Sequence, residues 1–117
     1  MSFESNESQA QELVITSDSD ATLYQSCKLP ILKNLATKGA RGIYDRDKAL
    51  KAFGYLADAS AKVYVKQYAS PGDSWFKMFP PIVRRLATIA WRDEFEAEDA
   101  LGNYERLLPK KYQKGGK

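Results

Sequence analysis

Apolar positions in this chain recur at helical spacing, and no hairpin signal accompanies them. Leu50, Phe53, Ala57, Ala61, Tyr64 and Tyr68 follow one another at intervals of three or four residues. At about 100° per residue they fall on one stripe. Ala49, Leu56 and Val63 widen it on one flank. Lys48, Lys51, Tyr55, Asp58, Lys62 and Lys66 occupy the opposite side, and Asp45 stands ahead of the first turn as a cap. The pattern predicts an amphipathic helix over residues 45–69.

A second pattern, Leu23, Cys27, Ile31 and Leu35 with Tyr24 and Leu32 beside it, predicts a helix over about 20–37. The acids and serines of residues 17–20 supply its N-cap. Pro30 cannot donate a backbone hydrogen bond, so a kink or split is expected near Lys28 and Leu29. A third helix is expected over 81–101, begun by Pro81 and stopped at Gly102-Asn103. Ile82, Leu86, Ile89, Ala90 and Ala97 are read as its inner face, with Trp91 and Phe95 on the other side. The fold class is therefore all-α, three main helices in a small bundle. Residues 1–17 are polar and read as a disordered acidic lead. Residues 18–112 form the single helical domain, and 113–117 a mobile basic tail.

Charge sharpens this picture. The net charge is only +3, but residues 21–92 carry thirteen bases against four acids. Residues 1–20 carry five acids and no base, and residues 93–99 carry five acids in seven. A basic body lies between acidic segments, which points to an acidic partner. If the lead folds back, it would act as an internal decoy for the lysines.

Histidine is absent and Cys27 is the single cysteine. A Ser-His-Asp triad, a Cys-His pair and a cysteine-rich zinc site are therefore excluded. No phosphate-binding loop or dinucleotide fingerprint is present. No cofactor, no metal and no enzymatic activity is expected. No apolar run nears the roughly 18 residues of a membrane span, and no secretory signal is visible, so a cytoplasmic location is expected. Cys27 reads as a small core residue.

Three features remain as candidate sites. Lys48, Lys51, Lys62 and Lys66, extended by Arg41 and Arg46, form a stripe suited to phosphates, or else a solvated helix face. Trp75, Phe76 and Phe79, ahead of Pro80-Pro81, form an aromatic segment that either anchors a partner or plugs the core. The acidic run Asp93–Asp99 lies late in a helix, where the macrodipole does not favour it. It pairs with Arg85, Arg92 or the lysines, mimics phosphate, or holds a hard cation.

Several stretches together resemble small uncharacterised helical proteins encoded by bacteriophages. They are Leu29-Pro30-Ile31-Leu32-Lys33-Asn34-Leu35-Ala36, Lys38-Gly39-Ala40-Arg41-Gly42-Ile43-Tyr44-Asp45, and Trp75-Phe76-Lys77-Met78-Phe79-Pro80. Tyr55-Leu56-Ala57-Asp58-Ala59, Phe95-Glu96 and Leu107-Leu108-Pro109-Lys110-Lys111-Tyr112 extend the likeness over roughly residues 21–112. The resemblance implies a phage accessory protein that acts in a host bacterium by binding, with a host protein as first expectation and nucleic acid as the alternative. It carries no known activity or site residues.

Overall fold

The computed structural model describes residues 5–113 and is all-α, with no strand among the described residues. Its helices are α1 (Asn6–Ser19), α2 (Ala21–Leu23), α3 (Leu29–Ala40), α4 (Arg46–Tyr68), α5 (Trp75–Met78) and α6 (Pro81–Ala100). A π-helical turn, Tyr24–Lys28, joins α2 to α3, and two single 3-10 turns follow α6. The core forms where α1, α4 and α6 pack on one another. α3 lies to the side, against α4 and the first 3-10 turn.

The expected disordered lead is therefore corrected for its described part. Ser5 caps α1 by accepting the Ser8 N–H at 3.1 Å, and Glu7 lies in the first turn where the helix dipole favours an acid. Ala10, Leu13, Val14, Thr16 and Ser17 are buried. The two hydroxyls enter the core because they satisfy themselves on their own helix. Thr16 donates to the Glu12 carbonyl and Ser17 to the Val14 carbonyl, each at 2.7 Å. Residues 1–4 and 114–117, the ends of the expected lead and tail, lie outside the described residues.

The effect of Pro30 appears one turn earlier than the proline itself. The Leu29 N–H reaches back five residues to the Tyr24 carbonyl, which widens the helix over Tyr24–Lys28. The extra residue turns Lys28 inward, to 4% exposure. Its ammonium donates to Asp18 Oδ1, lies 4.0 Å from Glu94 Oε1 and sits 6.0 Å from the centre of the Tyr24 ring. One lysine thus ties the end of α1 to α6. Gly42 then ends α3 at φ 74°, a left-handed conformation that suits glycine.

The inner face of α6 is also corrected. Val83, Ala87, Thr88, Trp91 and Phe95 are buried, whereas Ile82, Ala90 and Ala97 are exposed. Trp91 stacks on Phe53 of α4 with ring centres 6.2 Å apart and planes at 26°. Phe95 packs between Tyr44 and Tyr104, at 5.5 and 5.4 Å. The two largest side chains of the helix thus set its rotation. On α4 the expected stripe holds at Phe53, Ala57 and Ala61, but Ser60 joins the core and Tyr68 is exposed. Among the described residues, no helix is long and apolar enough to cross a membrane.

Candidate functional site

The aromatic segment divides into three different environments. Phe79 is 3% exposed and meets the Tyr64 ring edge-on at 5.2 Å, so it plugs the core and does not face a partner. Trp75 is half-buried. Lys62 Nζ lies 5.2 Å from its ring centre, and the Arg84 guanidinium lies at 5.0 Å. Arg84 is held in turn by the Phe79 carbonyl at 2.9 Å and by Asp58 at 2.8 Å. Phe76 remains, 52% exposed and edge-on to Trp75. The expected trio is not one surface.

The lysine stripe is placed as its spacing requires. Asp45 caps α4 by accepting the Asp47 and Lys48 N–H groups, and those bonds hold its carboxyl below the usual aspartate range. Lys48, Lys51, Lys62 and Lys66 are all exposed, and among the described residues none of them forms an ion pair. Of the acids on this side of α4, Asp58 is taken by Arg84, and Asp47, one turn before Lys51, is exposed. At about 1.5 Å per residue the four ammonium stems run along roughly 27 Å of helix. Tyr55 stands among them, 67% exposed. Beside Tyr55 an open groove runs between α4 and α6, with Lys51, Gly54 and Tyr55 on one wall and Pro81, Arg84 and Arg85 on the other. The cations of this edge outnumber its acids: Asp45 attracts Lys48, but among the described residues no acid forms an ion pair with any of the four lysines.

Arg46 does not extend the stripe. It turns to α6, with Nε 2.8 Å from Glu96 and a terminal nitrogen 3.7 Å from Asp93. Arg41 is exposed at the end of α3. Among the described residues, neither Glu7 nor Glu12 of the lead forms an ion pair with the lysine stripe, and the two acids just beyond the lead are engaged elsewhere. Asp18 pairs with Lys28, and Asp20 accepts the Leu23 N–H at 2.7 Å and the Gln67 amide at 3.1 Å.

Four of the five acids in the run on α6, Asp93, Glu94, Glu96 and Glu98, have partners within the fold. Glu96 accepts the Tyr44 hydroxyl at 2.7 Å as well as Arg46. Burial pushes the Glu96 carboxyl up, but the Arg46 and Tyr44 bonds outweigh it and hold it low. Burial, then Glu96, raises the Tyr44 phenol. Asp93 lies 3.4 Å from Arg92, Glu94 faces Lys28, and Glu98 accepts from Asn103. These are surface pairings, with Arg46, Arg92 and Lys28 as partners. Among the described residues, no three acidic or sulfur side chains converge as metal ligands. Burial raises the Cys27 thiol, which works against a reactive thiolate.

Asp99 ends the run beside Gly39, where an added Cβ would meet its Oδ2 at 3.2 Å. Burial raises its carboxyl above the ordinary value of 3.8. The folded state therefore holds this proton more tightly than the unfolded chain, and stability falls as pH rises from 3.8 through the raised value. Asp99→Asn should melt above the parent at pH 7, and the two should converge below pH 3.8 in a thermal-melt series.

No protein-family model matches the chain, and comparison with curated proteins and with solved structures finds no match.

Proposed function

We propose that this protein is a non-enzymatic nucleic-acid-binding module that seats phosphates along the exposed edge of α4. One observation carries the reading: Lys48, Lys51, Lys62 and Lys66 line a single helix edge, and among the described residues no acid forms an ion pair with them, Asp93 and Glu96 of α6 pairing with Arg46 and Arg92 instead. Ion-pairing with phosphates releases condensed counterions, which drives binding and makes it depend on salt. The resemblance to small phage proteins supports an infected bacterial cell as its setting.

Titrating labelled oligonucleotides at several salt concentrations tests the proposal. Four phosphate contacts on a single strand predict a log–log salt slope of about −3. Replacing all four lysines by glutamine should weaken binding on the order of a hundredfold at low salt and flatten the slope. No binding at low salt, or binding that ignores salt, would refute it. A second reading rests on Phe76 and Ile82, two large apolar side chains that are more than half exposed. There a host protein would be the partner, and Phe76→Ala would remove it from a lysate pull-down.

A further inference from the structure

We infer that the occupant of the α4–α6 groove is a single-stranded nucleic acid, with one base stacked on Tyr55 and its flanking phosphates on Lys51 and Arg85. The inference rests on the reading of α4 as a phosphate-binding edge and narrows it to one kind of strand.

Tyr55 is the first ground. A large aromatic at 67% exposure on the solvent edge of a helix contributes little to the core. It lies four residues after Lys51, so the two share one face of α4. Ring and ammonium side by side are the two elements that bind unpaired bases and their backbone.

Gly54 is the second ground. It stands inside the 23 residues of α4, where glycine costs about 1 kcal/mol relative to alanine. A Cβ built on it would meet nothing within 4 Å. The fold gains no close internal approach from this glycine. What it provides is a bare strip of backbone next to the Tyr55 ring, on the wall of the groove.

The opposite wall completes the site. Arg85 is exposed and makes no ion pair among the described residues, while Arg84 is committed to Asp58 and the Phe79 carbonyl. A strand in the groove would therefore meet free cations on both sides, Lys51 from α4 and Arg85 from α6. Duplex recognition works differently, because the bases are stacked inside and a reading helix must enter a groove about 12 Å wide. The lysines on the outer edge of α4 would meet phosphates of either form, so Tyr55 among them is the group that separates the two. An aromatic ring on that outer edge would find no base face on a duplex.

Fluorescence anisotropy with the full chain separates the cases. The probes are a labelled oligothymidine of about twelve nucleotides, a duplex of equal length and a polyglutamate chain. The single strand should bind about tenfold tighter than the duplex. Tyr55→Ala should weaken the single strand by about tenfold and leave the duplex unchanged, while Tyr55→Phe should bind as the parent does. Gly54→Leu, which fills the strip, should weaken the single strand as well. Tyr55 is exposed, so these variants fold, and circular dichroism checks that they do.

Equal affinity for duplex and single strand, or no effect of Tyr55→Ala, would overturn the inference while the lysine edge stood. Polyglutamate binding as tightly as oligothymidine would reduce the surface to charge alone and also overturn it. Failure of both oligonucleotides at low salt would remove the parent reading with it.

Discussion

Leu13→Ala should cost about 3 kcal/mol, or roughly 10 °C in melting temperature. Leu13 is fully buried and, with Ala10 and Val14, forms the apolar side of α1 that faces α4 and α6. Truncation leaves a cavity among α1, α4 and α6 that the surrounding helices close only in part. Leu13→Asp should be worse, because it buries a carboxylate with no partner. Ile15, two residues on and exposed, is the internal control, and Ile15→Ala should stay within about 0.5 kcal/mol. A chain lacking residues 1–19 should lose its cooperative thermal transition, because Val83, Ala87 and Trp91 would lose their cover. If these residues were an unfolded lead, all of these changes would be silent.

Trp91→Ala should destabilise the fold by about 4 kcal/mol in urea denaturation followed by circular dichroism. The ring is 1% exposed and fills the space between α4 and α6. Among the described residues its indole nitrogen finds no hydrogen-bond acceptor, which is costly in a buried site. Trp91→Phe should therefore lose only about 1–2 kcal/mol, because the loss of ring volume is partly offset by removing an unsatisfied donor. Ile82→Ala, at an exposed position of the same helix, should change little. Equal losses at Ile82 and Trp91 would place the wrong face of α6 inward.

Helix 45–69 was legible because its apolar residues are large and evenly spaced. Its structure differs by a residue at each end and by the exposure of Tyr68. α1 was illegible for the opposite reason. Two of its buried positions are Thr16 and Ser17, which count as polar in any periodicity but bury at little cost once their hydroxyls bond to the helix. α6 carries apolar residues on both sides, so spacing alone does not choose between Leu86 and Trp91. The partner surface on α4 makes that choice. Among the site residues, the lysines were legible as a face. The loss of Arg46 from it was not, because Glu96 lies fifty residues away in the chain. The burial of Phe79 likewise follows from Tyr64 across the fold.

The sequence by itself determined the helical class, a break in the regular helix close to Pro30 and the exposed basic edge of α4. These depend on local spacing and on residues whose backbone preferences act within a few positions. Only the tertiary structure decided that residues 6–19 complete the core, that Trp91 and Phe95 turn α6 inward, and that Asp93, Glu94 and Glu96 of α6 are spent on Arg46, Arg92 and Lys28. Those outcomes depend on volume and charge brought together from distant parts of the chain, and local periodicity does not record which helix a face will meet.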